Sequence, residues 1–336
     1  MTTQSPPTSP LPPPPPPPPP PVDPELAAAR AAAAEFAPPP LTRETLPLIR
    51  EARAATVPTD AELDPEGVFE FEERQVPGPR GAPDIGLLLA RPKGLAAHRP
   101  VVYYLHGGGM VLGSNRTTLD FPLECARDLG LVLVSADYRL APEHPHPAPV
   151  EDAYAGLLWT AAHAAEIGGD PERIVVAGGS AGGGIAAALA LLTRDRQGPR
   201  PLAQLLVCPM LDDRNDTPSA YQMADSGGWD RTANETGWTA LLGDRRGTAD
   251  VSPYAAPARA QDLSGLPPAY IDVGSAEIFR DEDVAYADRI WQAGGQAELH
   301  VWPGGFHGFD QLAPKAALSR AARAARTEWL RRQLGE

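Results

Sequence analysis

From residue 101 onward, apolar runs alternate with segments of helical period, and this alternation restricts the fold more than any other feature. The runs are "VVYYLH" (101–106), "LVLVSADYR" (131–139), "RIVVAG" (173–178), "AQLLVCPM" (203–210), "AYIDVG" (269–274) and "AELHVWP" (297–303). Helix patterns at 116–129, 149–165, 180–195, 281–293 and 313–334 separate most of them. Strands that are apolar almost throughout must be covered on both faces, which calls for a parallel sheet between two layers of helices. Two earlier runs, 68–76 and 85–92, flank "PGPRGAPD" and predict an antiparallel hairpin at the sheet edge. The expected fold is α/β, with eight strands, mostly parallel.

Outside this frame lie three other kinds of segment. Residues 1–22 include ten consecutive prolines, Pro12 to Pro21. Proline lacks the backbone donor that helix or sheet requires, so a disordered, polyproline II tail is expected. It could dock in an aromatic-lined groove or serve as a solvated spacer. Residues 23–62 hold two helix patterns, 23–36 and 42–55, the first opened by Asp23 and Pro24. Residues 211–266 show no clear strand and interrupt the alternation, as a cap insertion would. The core is then 63–210 together with 267–336.

The net charge of −14 argues against a nucleic-acid partner, which demands a basic face. No apolar run approaches membrane-spanning length, and no basic segment followed by an apolar stretch opens the chain, so a cytoplasmic protein without a membrane partner is expected. Cys125 and Cys208 are too few for a disulfide framework and lack metal-ligand spacing, which predicts buried free thiols.

Within "RIVVAGGSAGGGIAAALALL" (173–192), Ser180 stands just past a strand, with Gly178 and Gly182 two positions to either side. A sharp strand-to-helix turn puts a serine in strained backbone angles and leaves no room for side chains at those flanking positions. The hydroxyl then projects at a helix start, where N–H groups favour negative charge. A phosphate cradle would need a lysine after the last glycine, but Gly184 is followed by Ile185 and alanines. Small residues such as Gly183 and Ala186 also suit close helix–sheet packing.

A serine nucleophile needs a base, and the base a third group to hold it. Only His300 and His307 follow Ser180. His300 lies inside the last strand and reads as structural. His307, in the loop "PGGFHGF", is the expected base. The acid should lie after the preceding strand, in "AYIDVGSAEIFRDED", where Asp272 is inside the strand and Asp281, Glu282 and Asp283 read as first-turn helix acids. Glu277 remains, placed to reach the imidazole. The run His106-Gly107-Gly108-Gly109 ends a central strand, and its glycines let backbone N–H groups approach an oxyanion.

With "HGGGM", "SADYRLAPEHPHPAPVEDAY", "GGDPERIVVAGGSAGGG", "VSPYAAP", "GSAEIFRDED" and "PGGFHGF" in this order, the sequence resembles the hormone-sensitive-lipase branch of the α/β-hydrolase superfamily, the bacterial family IV or fold-3 esterases. The resemblance implies a triad of Ser180, Glu277 and His307, and an oxyanion hole from the N–H groups of Gly108, Gly109 and Ala181. It implies that His106, Gly107, Asp137 and Arg139 brace the oxyanion loop, and that 23–62 and 211–266 form a helical cap. Met110, Met223, Trp229 and Trp238 are then candidates for the substrate pocket or for lid packing. The chain departs from the family pattern at Gly179, usually Asp or Thr, at Glu277, usually Asp, and at Met110, often aromatic.

The activity so implied is hydrolysis of short- to medium-chain acyl esters through an acyl-enzyme, with no metal or organic cofactor. The same machinery could serve an amidase, formamidase, lactonase or carbamate hydrolase. A ligand receptor of this fold would have lost the base, and His307 argues against that. The expected partner is a small-molecule acyl ester, and a homodimer is left open.

Overall fold

The computed structural model describes residues 18–94, 96–226 and 228–335; most of the proline run, Pro12 to Pro17, lies outside the described residues. One sheet of eight strands forms the centre. The strands are β1 (Phe69–Val76), β2 (Ile85–Pro92), β3 (Arg99–Leu105), β4 (Val132–Asp137), β5 (Gly169–Gly179), β6 (Ala203–Val207), β7 (Ala269–Gly274) and β8 (Ala297–Trp302). Their spatial order is β1-β2-β4-β3-β5-β6-β7-β8. The expected hairpin is present, with Phe69 opposite Pro92 and Val76 opposite Ile85. β2 also runs antiparallel to β4, and every remaining pair is parallel.

The helices are α1 (Pro24–Ala33), α2 (Leu46–Ala54), α3 (Asp60–Leu63), α4 (Asp120–Leu129), α5 (Ala148–Ala162), α6 (Ala181–Asp195), α7 (Pro218–Gln222), α8 (Arg231–Leu242), α9 (Arg280–Gln292), α10 (Phe309–Leu312) and α11 (Ala317–Leu334). Successive residues of a strand point to opposite faces. Val101, Tyr103 and Leu105 therefore join one core with residues of α5, α6 and α9, while Val102 and Tyr104 join another with residues of α4 and α11. α6 is buried from Ala181 to Thr193, which accounts for its alanine-rich, almost wholly apolar composition.

Three boundaries differ from the sequence expectation for local reasons. The helix expected at 116–129 begins only at Asp120, because Thr118 sits in the left-handed region at φ 57°. The helix expected at 313–334 begins only at Ala317, because Pro314 keeps Ala313 out of the helical region at φ −126°. β5 starts at Gly169, earlier than expected, through an irregularity opposite Arg99 and Val101.

Residues 211–266 carry α7, α8 and two 3₁₀ turns, Gly243–Arg245 and Pro257–Arg259, with no strand among the described residues. The N-terminal helices fold back over the carboxyl ends of the strands. Arg50 donates to the carbonyls of Val111 and Ala141 and to Glu143, at 2.8, 2.5 and 2.7 Å. Leu26 of α1 packs with Phe306 and Phe309. No helix among the described residues is long and apolar enough to cross a membrane.

Behind the strand ends, Arg326 of α11 is buried between two carboxylates. It donates to Asp272 of β7 at 2.7 Å and to Asp310 of α10 at 2.5 Å, and Trp302 Nε1 adds a bond to Asp272 at 2.9 Å. Removing one partner of such a group leaves buried charge uncompensated. Arg326→Leu should therefore cost about 3–5 kcal/mol in urea unfolding. Arg331→Ala, which breaks only an exposed pair with Glu328, should stay within about 0.5 kcal/mol.

Candidate active site

β5 ends at Gly179, α6 begins at Ala181, and Ser180 alone makes the turn, at φ 56° and ψ −123°. A side-chain-bearing residue is strained there. Three backbone hydrogen bonds hold it: Ser180 N–H to the Val207 carbonyl at 2.8 Å, and the N–H groups of Gly184 and Met210 to the Ser180 carbonyl at 3.0 and 2.9 Å. The flanking glycines are sterically required. A Cβ at Gly178 would fall 2.3 Å from the Gly182 backbone, and one at Gly182 would fall 1.9 Å from the Leu105 carbonyl oxygen. Gly179 is different. A Cβ there would meet nothing closer than 3.9 Å, so no contact requires glycine at this position.

Glu277 and His307 come from the loops after β7 and β8. These loops meet at glycine, since a Cβ at Gly274 would lie 2.1 Å from the Gly305 carbonyl oxygen. Three hydrogen bonds lock them: Ser275 N–H to the Trp302 carbonyl, Ala276 N–H to the Gly305 carbonyl, and Gly304 N–H to Ser275 Oγ, at 2.8, 2.9 and 2.8 Å. His307 Nδ1 and Glu277 Oε1 are thereby brought to 2.5 Å. Glu277 is buried, and its other oxygen accepts the Gly274 N–H at 3.2 Å. The edge-on ring of Phe279 stands 5.3 Å from the imidazole. With Nδ1 engaged, Nε2 is the nitrogen left to take a proton.

The glycine triplet after β3 turns through left-handed angles, φ 115° at Gly108 and 62° at Gly109. Gly107 packs against the elbow, where a Cβ would lie 3.1 Å from the Gly179 carbonyl oxygen. Ala181, the first residue of α6, has an N–H with no intrahelical acceptor. His106 is fully buried, donates from Nδ1 to the Gly107 carbonyl at 2.8 Å, and stacks on Tyr138 at 4.2 Å. Tyr138 in turn donates to the His106 carbonyl at 2.7 Å. Burial lowers the His106 pKa to about 4, so this ring is neutral near pH 7 and acts as a spacer. Arg139 forms a two-pronged pair with buried Asp152, both bonds at 2.7 Å. Asp137 is exposed at the end of β4, opposite Gly86.

Ser180, His307, Gly107 and Gly108 line one cavity of about 660 Å³. Trp229 forms part of its wall, and a Cβ at Gly109 would lie 1.9 Å from the Trp229 indole. A second cavity of about 730 Å³, also lined by Trp229 and His307, lies against α1. Of the four pocket candidates, Trp229 lines the cavities; Met110, Met223 and Trp238 are core residues.

One sequence expectation, that both cysteines are buried, needs correction. Asp281, Glu282 and Asp283 stand in the first turn of α9, as expected, and the last two are buried. Glu282 accepts the N–H groups of Leu211 and Asp212 at 2.7 and 3.1 Å, tying the start of the 211–266 segment to α9. Cys125 is buried, with burial pushing its thiol up to about 12, but Cys208 is only partly so and stands in the wall of the Ser180 cavity. Its place just past β6, at a strand's carboxyl end, was the signal that could have marked it.

A family model described as the alpha/beta hydrolase fold matches residues 102–311. The chain belongs to that family. Carboxylesterase NlhH of Mycobacterium tuberculosis is 40% identical over 273 residues, 79% of this chain and 82% of that protein. Esterase LipI of the same species is 41% identical over 218 residues, 63% of this chain and 66% of its own. Among solved structures, a bacterial heroin esterase superposes with a TM-score of 0.86 at 39% identity, covering 93% of this chain and 98% of that one. A thermostable esterase from Pseudomonas putida gives 0.82 at 30% identity, covering 93% and 98%. The hormone-sensitive-lipase-like resemblance is upheld, and the chain is a hydrolase of the serine type.

The contrast between neighbouring glycines is testable by thermal unfolding. Gly182→Ala should lose about 3 kcal/mol, because its methyl group meets backbone that cannot yield. Gly179→Ala should stay within about 0.5 kcal/mol.

Proposed function

We propose that the chain is a carboxylesterase that cleaves short- to medium-chain acyl esters, with Ser180 as nucleophile, His307 as general base and Glu277 as the acid that orients it. The observation that carries this reading is the 2.5 Å bond between Glu277 and His307, whose imidazole lines the same cavity as Ser180 at its strained turn. The esterase names of the relatives support the choice of bond.

Ser180 Oγ attacks the ester carbonyl while His307 Nε2 takes its proton. Negative charge gathers on the former carbonyl oxygen, within reach of the N–H groups of Gly108, Gly109 and Ala181. Each such donor contributes about 2.7–4 kcal/mol to the transition state. Collapse expels the alcohol, which leaves with the proton from His307. Water then enters, gives its proton to His307 and releases the acid by the same steps in reverse. Glu277 keeps Nδ1 protonated throughout and stabilises the imidazolium.

The preference for shorter acyl chains is part of this reading, with Trp229 and residues 37–41 of the N-terminal segment walling the cavity beside Ser180. Across p-nitrophenyl esters from acetate to palmitate, kcat/KM should peak among the shorter chains; a maximum at palmitate would overturn that preference. Ser180→Ala should lower kcat by a factor on the order of 10⁶. Glu277→Gln should lower it by about 10⁴, because the wrong tautomer is then favoured. Undiminished turnover by folded Ser180→Ala protein would place the nucleophile elsewhere.

A further inference from the structure

Among the described residues, one group of potential metal ligands converges. Cys208, Glu277 and His307 each offer a donor atom, and these atoms all lie within 4.8 Å of one another. Cys208 reaches this position because it follows β6 directly, with its N–H bonded to the Asp272 carbonyl at 2.7 Å and its backbone at φ 37°. Cys208 and His307 both line the Ser180 cavity, so an ion could enter from the substrate side. Behind the group, Asp283 is fully buried, and neither of its carboxylate oxygens has a hydrogen-bond partner. Burial, and then the neighbouring acids Glu282, Glu277 and Asp272, push the Asp283 carboxyl well above the usual carboxylate range.

We propose that Cys208, Glu277 and His307 form an inhibitory site for a thiophilic divalent cation, of which Zn²⁺ is the type. One thiolate, one imidazole and one carboxylate are a zinc donor set, and a fourth position faces the cavity, open to water. Ligand atoms around a tetrahedral zinc stand roughly 3.3–3.8 Å apart, so Glu277 and His307 separate by about an ångström as the ion enters. Binding displaces the Cys208 thiol proton. It also costs the enzyme its base. A metal on Nε2 blocks proton transfer, and one on Nδ1 breaks the contact with Glu277. Hard cations such as Mg²⁺ have no affinity for the thiolate and leave the site empty.

Metal binding is independent of the esterase reading; only its inhibitory consequence rests on it. The test uses EDTA-treated full-length protein, titrated calorimetrically with ZnCl₂, in four forms: wild type, Ser180→Ala, Cys208→Ala and Cys208→Ser. One zinc should bind per chain in wild type and in Ser180→Ala, and binding should weaken by about tenfold or more in Cys208→Ala. Co²⁺ in place of Zn²⁺ should give a thiolate-to-cobalt charge-transfer band in wild type that Cys208→Ala lacks. Zinc should lower kcat for a p-nitrophenyl ester in wild type, and this effect should be lost in Cys208→Ala, each variant referred to its own metal-free rate. Cys208→Ser serves as a second variant should Cys208→Ala fail to fold. Zinc affinity unchanged by both substitutions, or absent from wild type at micromolar metal, overturns the site. A protein that binds zinc through Cys208 but has no Ser180-dependent turnover overturns the esterase reading and leaves the metal site standing.

Discussion

The site depends on one strained residue. Ser180 holds a backbone conformation that costs on the order of 1–3 kcal/mol, and the surrounding structure keeps it there. β6 contributes the Val207 carbonyl, the segment after β6 contributes the Met210 N–H, and the first turn of α6 contributes the Gly184 N–H. β3 approaches so closely that only glycine fits at 182. The central strands and α6 therefore have to be in register before the serine can point out of the sheet. A well-packed scaffold is the condition for this strained turn.

A second constraint is electrostatic. Glu277 is almost wholly buried, a costly place for a carboxylate, and the Gly274 N–H and His307 Nδ1 are the partners that make it tolerable. Other acids crowd the same region, with Glu282 and Asp283 held well toward their neutral forms by burial and by one another or their acidic neighbours. In His106, burial yields a neutral ring that packs against the glycine loop after β3.

The central sheet was legible because its strands are buried on both faces and so are apolar throughout, a pattern that survives any detail of packing. Ser180, Gly178, Gly182, Glu277 and His307 were legible because strained turns and strand-end loops demand particular residue types at particular spacings. What the sequence concealed depends on contacts between distant segments. The position of Trp229 on Gly109, the Arg326 link between Asp272 and Asp310, and the burial of Asp283 follow from no periodicity. Cys208 is the clearest case. As a lone cysteine it carried no ligand spacing, and only the folded chain brings it beside His307.

The central claim is that the strained serine is the activated nucleophile. Peptide mapping by mass spectrometry after exposure to diethyl p-nitrophenyl phosphate tests it most directly. One phosphoryl adduct per chain, located on Ser180, is the predicted result. An adduct on another residue, or none on folded protein, would contradict it.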